Sequence, residues 1–375
     1  MIYNNLMAKT GIFGGAFDPV HNAHLDMAKT ALDYGLGKIV FVPSGIPPHK
    51  KCNVSFIDRI NMLELAVADE ERFEVCTLEY ELGGVNYACD VIPRLKEIYG
   101  EISYIIGGDS LIDLKKWKDP EKLIKLTAFT VFPRADRQEE FEKALEYWRG
   151  KGADITVVDK TPKTVSSTCV RYLINMDKTD DIPVKVADYI KKNGLYAKYA
   201  DKAAKLKGEV LPKTYDHIAR TCECALRLNF ECSLGLDNDE VFLSAMLHDC
   251  AKLRCRNAHD TSKVPAASVG SEVEHQFYGA VVAKEEYGIK DERIINAIAC
   301  HCTGKPAMNT LDKLIFCADM LEDARDFTGV EGLRKLIRED FEKGFKACLK
   351  RSYDYLIEKN CYIYPLTQEA VDYYK

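Results

Sequence analysis

The feature that most constrains this chain is a junction near its start. Thr10-Gly11-Ile12-Phe13 is a short apolar run, Gly14-Gly15-Ala16-Phe17-Asp18-Pro19-Val20-His21-Asn22-Ala23-His24 follows it, and Leu25 to Leu32 has helical spacing. A strand that passes through a glycine turn into a helix is the opening unit of a parallel α/β sheet. Two glycines let the backbone come close to a ligand, and the unpaired N–H groups of the next helix attract an anion. His21 and His24 stand three residues apart, so on the opening turn their imidazoles face the same way. The corner reads as a phosphate site with two histidine donors.

Alternation continues downstream. Strand-like runs at Lys38 to Pro43, Phe73 to Thr77, Ile102 to Ile106, Phe129 to Phe132 and Ile155 to Val158 are separated by helical spacing, including Phe56 to Ala68, a helix ending at Tyr99, and Val184 to Asn193. The expectation is a doubly wound, mostly parallel sheet with ligands at the carboxyl ends of its strands. Three further stretches fall at such ends. Gly45-Ile46-Pro47-Pro48-His49-Lys50 is a rigid loop presenting two basic side chains. Gly107-Gly108-Asp109-Ser110 follows a strand, and Trp117 lies eight residues beyond Asp109. Ser166-Ser167-Thr168 with Arg171 one turn later would make a second phosphate cradle. Taken singly, Asp109 and the Ser-Ser-Thr run read equally as helix caps, and Trp117 as a core residue.

Together these strings resemble a nucleotidyltransferase superfamily with the signature Gly-Gly-Thr-Phe-Asp-Pro-x-His-x-Gly-His and a later Ile-Ser-Ser-Thr-x-x-Arg. The Pro-Pro-His-Lys loop narrows the resemblance to bacterial nicotinate-nucleotide adenylyltransferases, over about residues 8 to 197. Ala16 stands where Thr is usual, Ala23 where Gly is usual, and Asn86-Tyr87-Ala88 where the family has Ser-Tyr-Thr. The resemblance implies transfer of AMP from Mg²⁺-ATP to nicotinate mononucleotide, giving deamido-NAD and pyrophosphate. His21, His24 and Arg171 would be catalytic. Gly14, Gly15, Phe17, His49, Lys50, Tyr87, Asp90, Gly108, Asp109, Trp117, Ser166, Ser167 and Thr168 would bind the nucleotides, with Asp109 on ribose and Trp117 stacked on the pyridine ring.

Beyond a charged, alanine-rich stretch at Lys198 to Lys207 the patterning is helical, so the second half is expected to be all-α. Of eight histidines, five lie here: His217, His248, His259, His275 and His301. His248-Asp249 ends an apolar helical run, and Asp319 sits inside another, Leu314 to Asp319. One such polar group would be a satisfied core residue; this many in separate helices suggest a metal. The order of these residues, with Leu247-His248-Asp249-x-x-Lys252, His275-x-x-x-Gly279-Ala280, His301-Cys302-Thr303-Gly304-Lys305-Pro306 and Ala318-Asp319-x-x-Glu322-x-x-Arg325, resembles HD-domain phosphohydrolases, particularly the YqeK group, across about residues 199 to 375. That resemblance implies two divalent ions on His217, His248, Asp249, His275, His301 and Asp319, with Asp249 between them. It also implies symmetrical hydrolysis of diadenosine tetraphosphate to two ADP by a metal-activated water. Mixed imidazole and carboxylate ligation suits iron or another borderline ion. Lys252, as a catalytic residue, and Arg325 would hold substrate phosphate. His259 fits no motif and is expected on the surface.

Length and charge set the remaining bounds. A chain of 375 residues is long enough for two domains, drawn here as 1–197 and 198–375. A net charge of −6 argues against broad nucleic-acid binding, and no run approaches the roughly 18 apolar residues of a membrane span. Residues 1–9 lack the apolar centre of a signal peptide, so a cytoplasmic enzyme acting on small nucleotides is expected, with homo-oligomerisation left open. Fourteen scattered cysteines read as reduced thiols, and Cys222-x-Cys224 and Cys300-His301-Cys302 are too tightly spaced for the usual zinc clamp. Three alternatives stay open: nicotinamide mononucleotide or another phosphomonoester as acceptor, another nucleotide as the hydrolase substrate, and a second half that senses nucleotides without turning them over.

Overall fold

The computed structural model describes residues 9–47, 51–133, 137–160, 165–257 and 259–375. Its backbone divides into two units: residues up to Arg171 together with Thr179–Tyr196, and Tyr172–Lys178 together with Ala197–Lys375.

The first unit is built on six strands, β1 (Thr10–Gly15), β2 (Lys38–Pro43), β3 (Phe73–Val75), β4 (Ile102–Gly107), β5 (Ala128–Phe132) and β6 (Ile155–Val157). They stand in the order β3-β2-β1-β4-β5-β6, and every pairing is parallel. Ile12, Ile39, Val40, Phe41 and Phe129 are completely buried, as expected of strands covered on both faces. β1 pairs with β2 from Thr10 opposite Lys38 to Gly15 opposite Pro43, and with β4 from Thr10 opposite Ile102 to Ile12 opposite Tyr104. The strand order reverses between β1 and β4, which opens a crevice beyond their carboxyl ends. Both expected glycine turns, at Gly14-Gly15 and Gly107-Gly108, lie at that crevice. Gly14 is needed for space: a Cβ there would lie 2.6 Å from the Tyr104 hydroxyl. The helix Asn22–Asp33 begins earlier than its apolar run because His21 caps it.

The second unit is helical. Asn238–Leu247 is apolar nearly all round and runs through its core, with Val241, Phe242, Ala245, Met246 and Leu247 completely buried. Pro212–Glu231 and Thr310–Leu321 pack against it and against each other. Further out, Val330–Glu339 and Phe341–Glu358 cross so closely that a Cβ on Gly344 would lie 2.4 Å from the Ile337 Cα. No helix among the described residues is long and apolar enough to cross a membrane. All fourteen cysteines are thiols rather than disulfides.

Candidate active sites

At the β1 turn, His21 and His24 stack with ring centroids 3.6 Å apart. The His21 backbone N–H donates to His24 Nδ1 at 3.2 Å, which leaves the His24 proton on Nε2. Burial pushes His21 down to about 4, so its imidazole is neutral, and its Nδ1 has no hydrogen-bond partner among the described residues. Phe17, expected at the nucleotide, stands against His24. It is 2% exposed, takes a positive φ of 47°, and packs edge-on to Phe13, Phe41 and His24, so its ring positions His24.

The loop that carries these histidines is clamped from three sides. The buried Asp18 carboxylate accepts from the Asn53 N–H at 2.8 Å, the Asn53 side chain at 3.0 Å and the Tyr196 hydroxyl at 2.7 Å. Arg59, 1% exposed, donates to the carbonyls of Ala16 at 2.7 Å, Ser44 at 2.8 Å and Gly45 at 3.2 Å, tying the β1 and β2 loops together. Arg171 donates to the Asp18 carbonyl at 2.6 Å and to Thr168 Oγ1 at 3.1 Å, and Ser167 Oγ donates to the Pro19 carbonyl at 3.1 Å. The helix Ser167–Leu173 is thereby brought to the first turn, with Ser166 Oγ accepting the Cys169 N–H at 3.1 Å as its cap. Asn53, Arg59 and Tyr196 were not expected as site residues. Only Arg59 left a signal, as a cation on the same helix face as the buried Met62 and Leu63.

At the β4 end, Asp109 opens the helix Gly108–Ile112 and pairs with Arg137 at 3.4 Å. Trp117 is partly buried and lies edge-on to Tyr104, with centroids 6.2 Å apart. Lys118 joins two expected site residues: its ammonium lies 4.7 Å from the Tyr87 ring centroid and 2.8 Å from the Asp90 carboxylate. His49 and Lys50 lie outside the described residues.

In the second unit five elements each bring donors to one place. His217 comes from Pro212–Glu231, His248 and Asp249 from the end of Asn238–Leu247, His275 from the first turn of Glu274–Glu285, His301 from just beyond Glu292–Ala299, and Asp319 from Thr310–Leu321. Three of the four histidines donate Nδ1–H to a carbonyl three residues back: His248 to Ala245 at 2.6 Å, His275 to Glu272 at 2.8 Å and His301 to Ile298 at 2.8 Å. His217 Nδ1 meets Glu322 Oε1 at 3.2 Å instead. Every Nε2 lone pair is therefore turned inward, as metal-binding imidazoles require. His217 Nε2 lies 2.9 Å from Asp319 Oδ1 and 3.3 Å from His248 Nε2.

Asp249, 1% exposed, faces both halves of the cluster. Its Oδ2 lies 3.9 Å from His217 Nε2 and 3.7 Å from His248 Nε2, while Oδ1 lies 3.2 Å from His275 Nε2 and 3.6 Å from His301 Nε2. Burial pushes His248 down to about 3, which keeps it a neutral donor. Burial alone would raise the carboxyls of Asp249 and Asp319, but the surrounding imidazoles hold both far below the usual range. Anionic carboxylates, inward-facing imidazole nitrogens and the buried Asp249 Oδ1, which has no hydrogen-bonded donor among the described residues, fit divalent cations. Glu322 was not expected as a site residue. Burial would raise it, but His217 and Arg220, whose Nε donates at 2.7 Å, hold it at about 2.

His217, Asp249, His301, Cys302 and Asp319 of the cluster floor a cavity of about 930 Å³. Lys252 lies 2.7 Å from Asp249 Oδ2 and Arg325 2.7 Å from Asp319 Oδ1, both on the cavity wall. Further along, the Arg351 guanidinium stands 5.7 Å from the Phe327 ring centroid and 5.9 Å from that of Tyr355. Two expectations need correction. His259 is not on the surface: its side chain is 7% exposed, because Nε2 pairs with buried Glu274 at 2.8 Å. Cys302, set aside for its spacing, lies within the cluster, since ligands gathered from separate helices obey no local spacing rule.

A cytidylyltransferase-like family model matches residues 12–173, and an HD-domain model matches residues 214–324. A Mycoplasma genitalium protein named nicotinate-nucleotide adenylyltransferase/Ap4A hydrolase is 30% identical over 355 residues, covering 90% of this chain and 96% of that protein. The chain belongs to this two-domain adenylyltransferase/HD-hydrolase family. The first unit also resembles a separate Caldicellulosiruptor bescii protein named nicotinate-nucleotide adenylyltransferase, 35% identical over 193 residues, which are 50% of this chain and 98% of that one. Among solved structures, a Clostridium acetobutylicum HD superfamily hydrolase described as involved in NAD metabolism aligns with 47% of this chain and 96% of its own, at 28% identity and a TM-score of 0.43. Membership assigns the inward-facing cluster to the HD unit, a divalent-metal-binding domain.

Proposed function

We propose that the first unit transfers AMP from ATP to nicotinate mononucleotide, and that the second cleaves diadenosine tetraphosphate symmetrically into two ADP, in a cytoplasmic enzyme. The full-length likeness to a protein named for both activities supports the pairing. The observation that carries the transferase half is the stacked His21 and His24 pair at a helix start beside Arg171.

In that reaction a phosphate oxygen of the mononucleotide attacks the α-phosphorus of ATP, and pyrophosphate leaves in line. Mg²⁺ accompanies ATP and neutralises phosphate charge. The neutral imidazoles donate N–H groups to the α-phosphate as its charge grows, and the clamped loop holds them there without reorganisation. Gly14, Gly15 and the N–H groups that begin Asn22–Asp33 receive the other phosphates, Ser166, Ser167 and Thr168 close the opposite side, and Asp109 and Trp117 take ribose and pyridine. Lys118, against Tyr87 and Asp90, offers a cation to the acceptor's carboxylate.

For the hydrolase half, the carrying observation is the cavity whose floor is the histidine and aspartate cluster and whose wall carries Lys252 and Arg325. His217, His248, Asp319 and one oxygen of Asp249 would hold one ion, iron being our assignment; His275, His301 and the other oxygen would hold a second. Bound ions supply Lewis acidity and lower the pKa of water. Lys252 and Arg325 orient the tetraphosphate so that water attacks one central phosphorus and the bridging oxygen leaves with the other ADP. Phe327, Arg351 and Tyr355 offer flat surfaces to a base, which favours a dinucleotide over a bare polyphosphate.

Chromatography of both reactions tests the pair. His21→Ala should lower kcat/KM for pyrophosphate release about 100-fold or more, with nicotinate mononucleotide the better acceptor in the parent. His248→Ala should abolish hydrolysis, and ADP should be the sole product of the parent. ATP plus AMP as products, or a preference for nicotinamide mononucleotide, would overturn the corresponding half.

A further inference from the structure

We propose that Cys302 is a metal ligand of the HD unit, its thiolate joining His275, His301 and Asp249 Oδ1 around one ion. The inference rests on reading the cluster as a metal centre and adds a donor of different chemistry. Cys302 Sγ lies 3.3 Å from His275 Nε2 and 3.1 Å from His301 Nε2. Both Nδ1 protons are given to carbonyls, which leaves both Nε2 atoms facing the sulfur as the ligand atoms. Asp249 Oδ1 faces the same nitrogens at 3.2 and 3.6 Å and is buried with no hydrogen-bonded donor among the described residues. Nitrogen, oxygen and sulfur donors on one tetrahedral ion, at about 2.0–2.3 Å from it, stand roughly 3.3–3.7 Å from each other. The four sulfur–nitrogen and oxygen–nitrogen separations above, 3.1 to 3.6 Å, are close to that edge length.

The sulfur is held in place. Gln276, completely buried, accepts the Cys302 N–H at 3.0 Å and the Thr303 N–H at 3.2 Å on one oxygen, and its amide nitrogen donates to Thr303 Oγ1 at 2.9 Å. Cys302 also lines the cavity, so an ion can reach it. On binding, the S–H proton passes to solvent as the sulfur–metal bond forms, with no change of oxidation state. The two halves of the cluster then differ: the His217, His248 and Asp319 side offers nitrogen and oxygen alone, while the Cys302 side is softer and selects zinc or ferrous iron over magnesium.

The test uses the full-length chain, stripped of metal and reloaded with cobalt(II). The parent should show visible ligand-field bands together with a near-ultraviolet sulfur-to-cobalt charge-transfer band. Cys302→Ser should keep the former, lose the latter, and bind its weaker cobalt at least about tenfold less tightly. Zinc should slow iodoacetamide labelling of Cys302, read by peptide mass spectrometry, by about tenfold or more, because only an unligated thiolate is nucleophilic. Ligand-field bands without charge transfer, a charge-transfer band that survives Cys302→Ser, or labelling indifferent to zinc would overturn the ligand and leave the metal centre standing. Failure to bind cobalt at all would overturn the metal reading, and this proposal with it.

Discussion

Burial holds the Glu79 carboxyl up at about 7, against its ordinary 4.5, beside the Gly45 N–H that it accepts at 3.3 Å. The folded chain therefore keeps a proton between 4.5 and 7 that the unfolded chain has released. Stability falls as pH rises through that window, and the penalty is complete above it. Glu79→Gln keeps an oxygen for Gly45 and removes the penalty. Its gain in Tm should be small near about pH 5 and larger near about pH 8, by about 2–4 °C for each kcal/mol regained. An equal gain at both pH values would show that Glu79 titrates normally. Residues of this kind explain what the sequence could not disclose. His248 and Asp319 stood out because a charge within an apolar helix demands a partner. Glu322, Asn53 and Tyr196 did not, because each is polar in an unremarkable setting and gains its role only when folding brings His217 or Asp18 against it.

At the scale of elements, the sheet was legible for a simple reason. Strands covered on both faces read as unbroken apolar runs, and the turns that end β1 and β4 are written in glycine. The joining of those turns was not legible, since it depends on Arg59 reaching three backbone carbonyls, and carbonyls leave no mark on a sequence. Arg59→Met should preserve the helix Phe56–Val67 yet leave those oxygens without their buried donor. The expected loss is about 2–4 kcal/mol in denaturant unfolding of the first unit, with a fall in adenylyl transfer as the histidine loop loosens. Unchanged stability would mean that water replaces the guanidinium without cost.

For the whole molecule, the two proposed chemistries would make opposite demands on metal. On the proposed reading, adenylyl transfer would need only the magnesium that travels with ATP, whereas the imidazole and carboxylate donors would favour transition ions. Stripping the protein with a chelator and restoring Mg²⁺ alone should return the transferase to its full rate and leave hydrolysis at least about tenfold below the iron-loaded rate. Equal recovery of both activities would remove the case for borderline metals.

The course of the backbone also bears on genetic separability. The chain enters the second unit at Tyr172, returns to the first at Thr179 and passes to the second again at Ala197. Within the second unit, the Tyr172 hydroxyl donates to Asp239 at 2.7 Å, Asn175 accepts the Tyr199 N–H at 2.8 Å, and Met176 is completely buried. A gene split after residue 197 would strand this short segment on the wrong fragment, and one split after Arg171 would deprive the first unit of Tyr196 and hence Asp18 of a clamp. The fusion is interleaved at this junction, so either cut removes a contact that one unit makes.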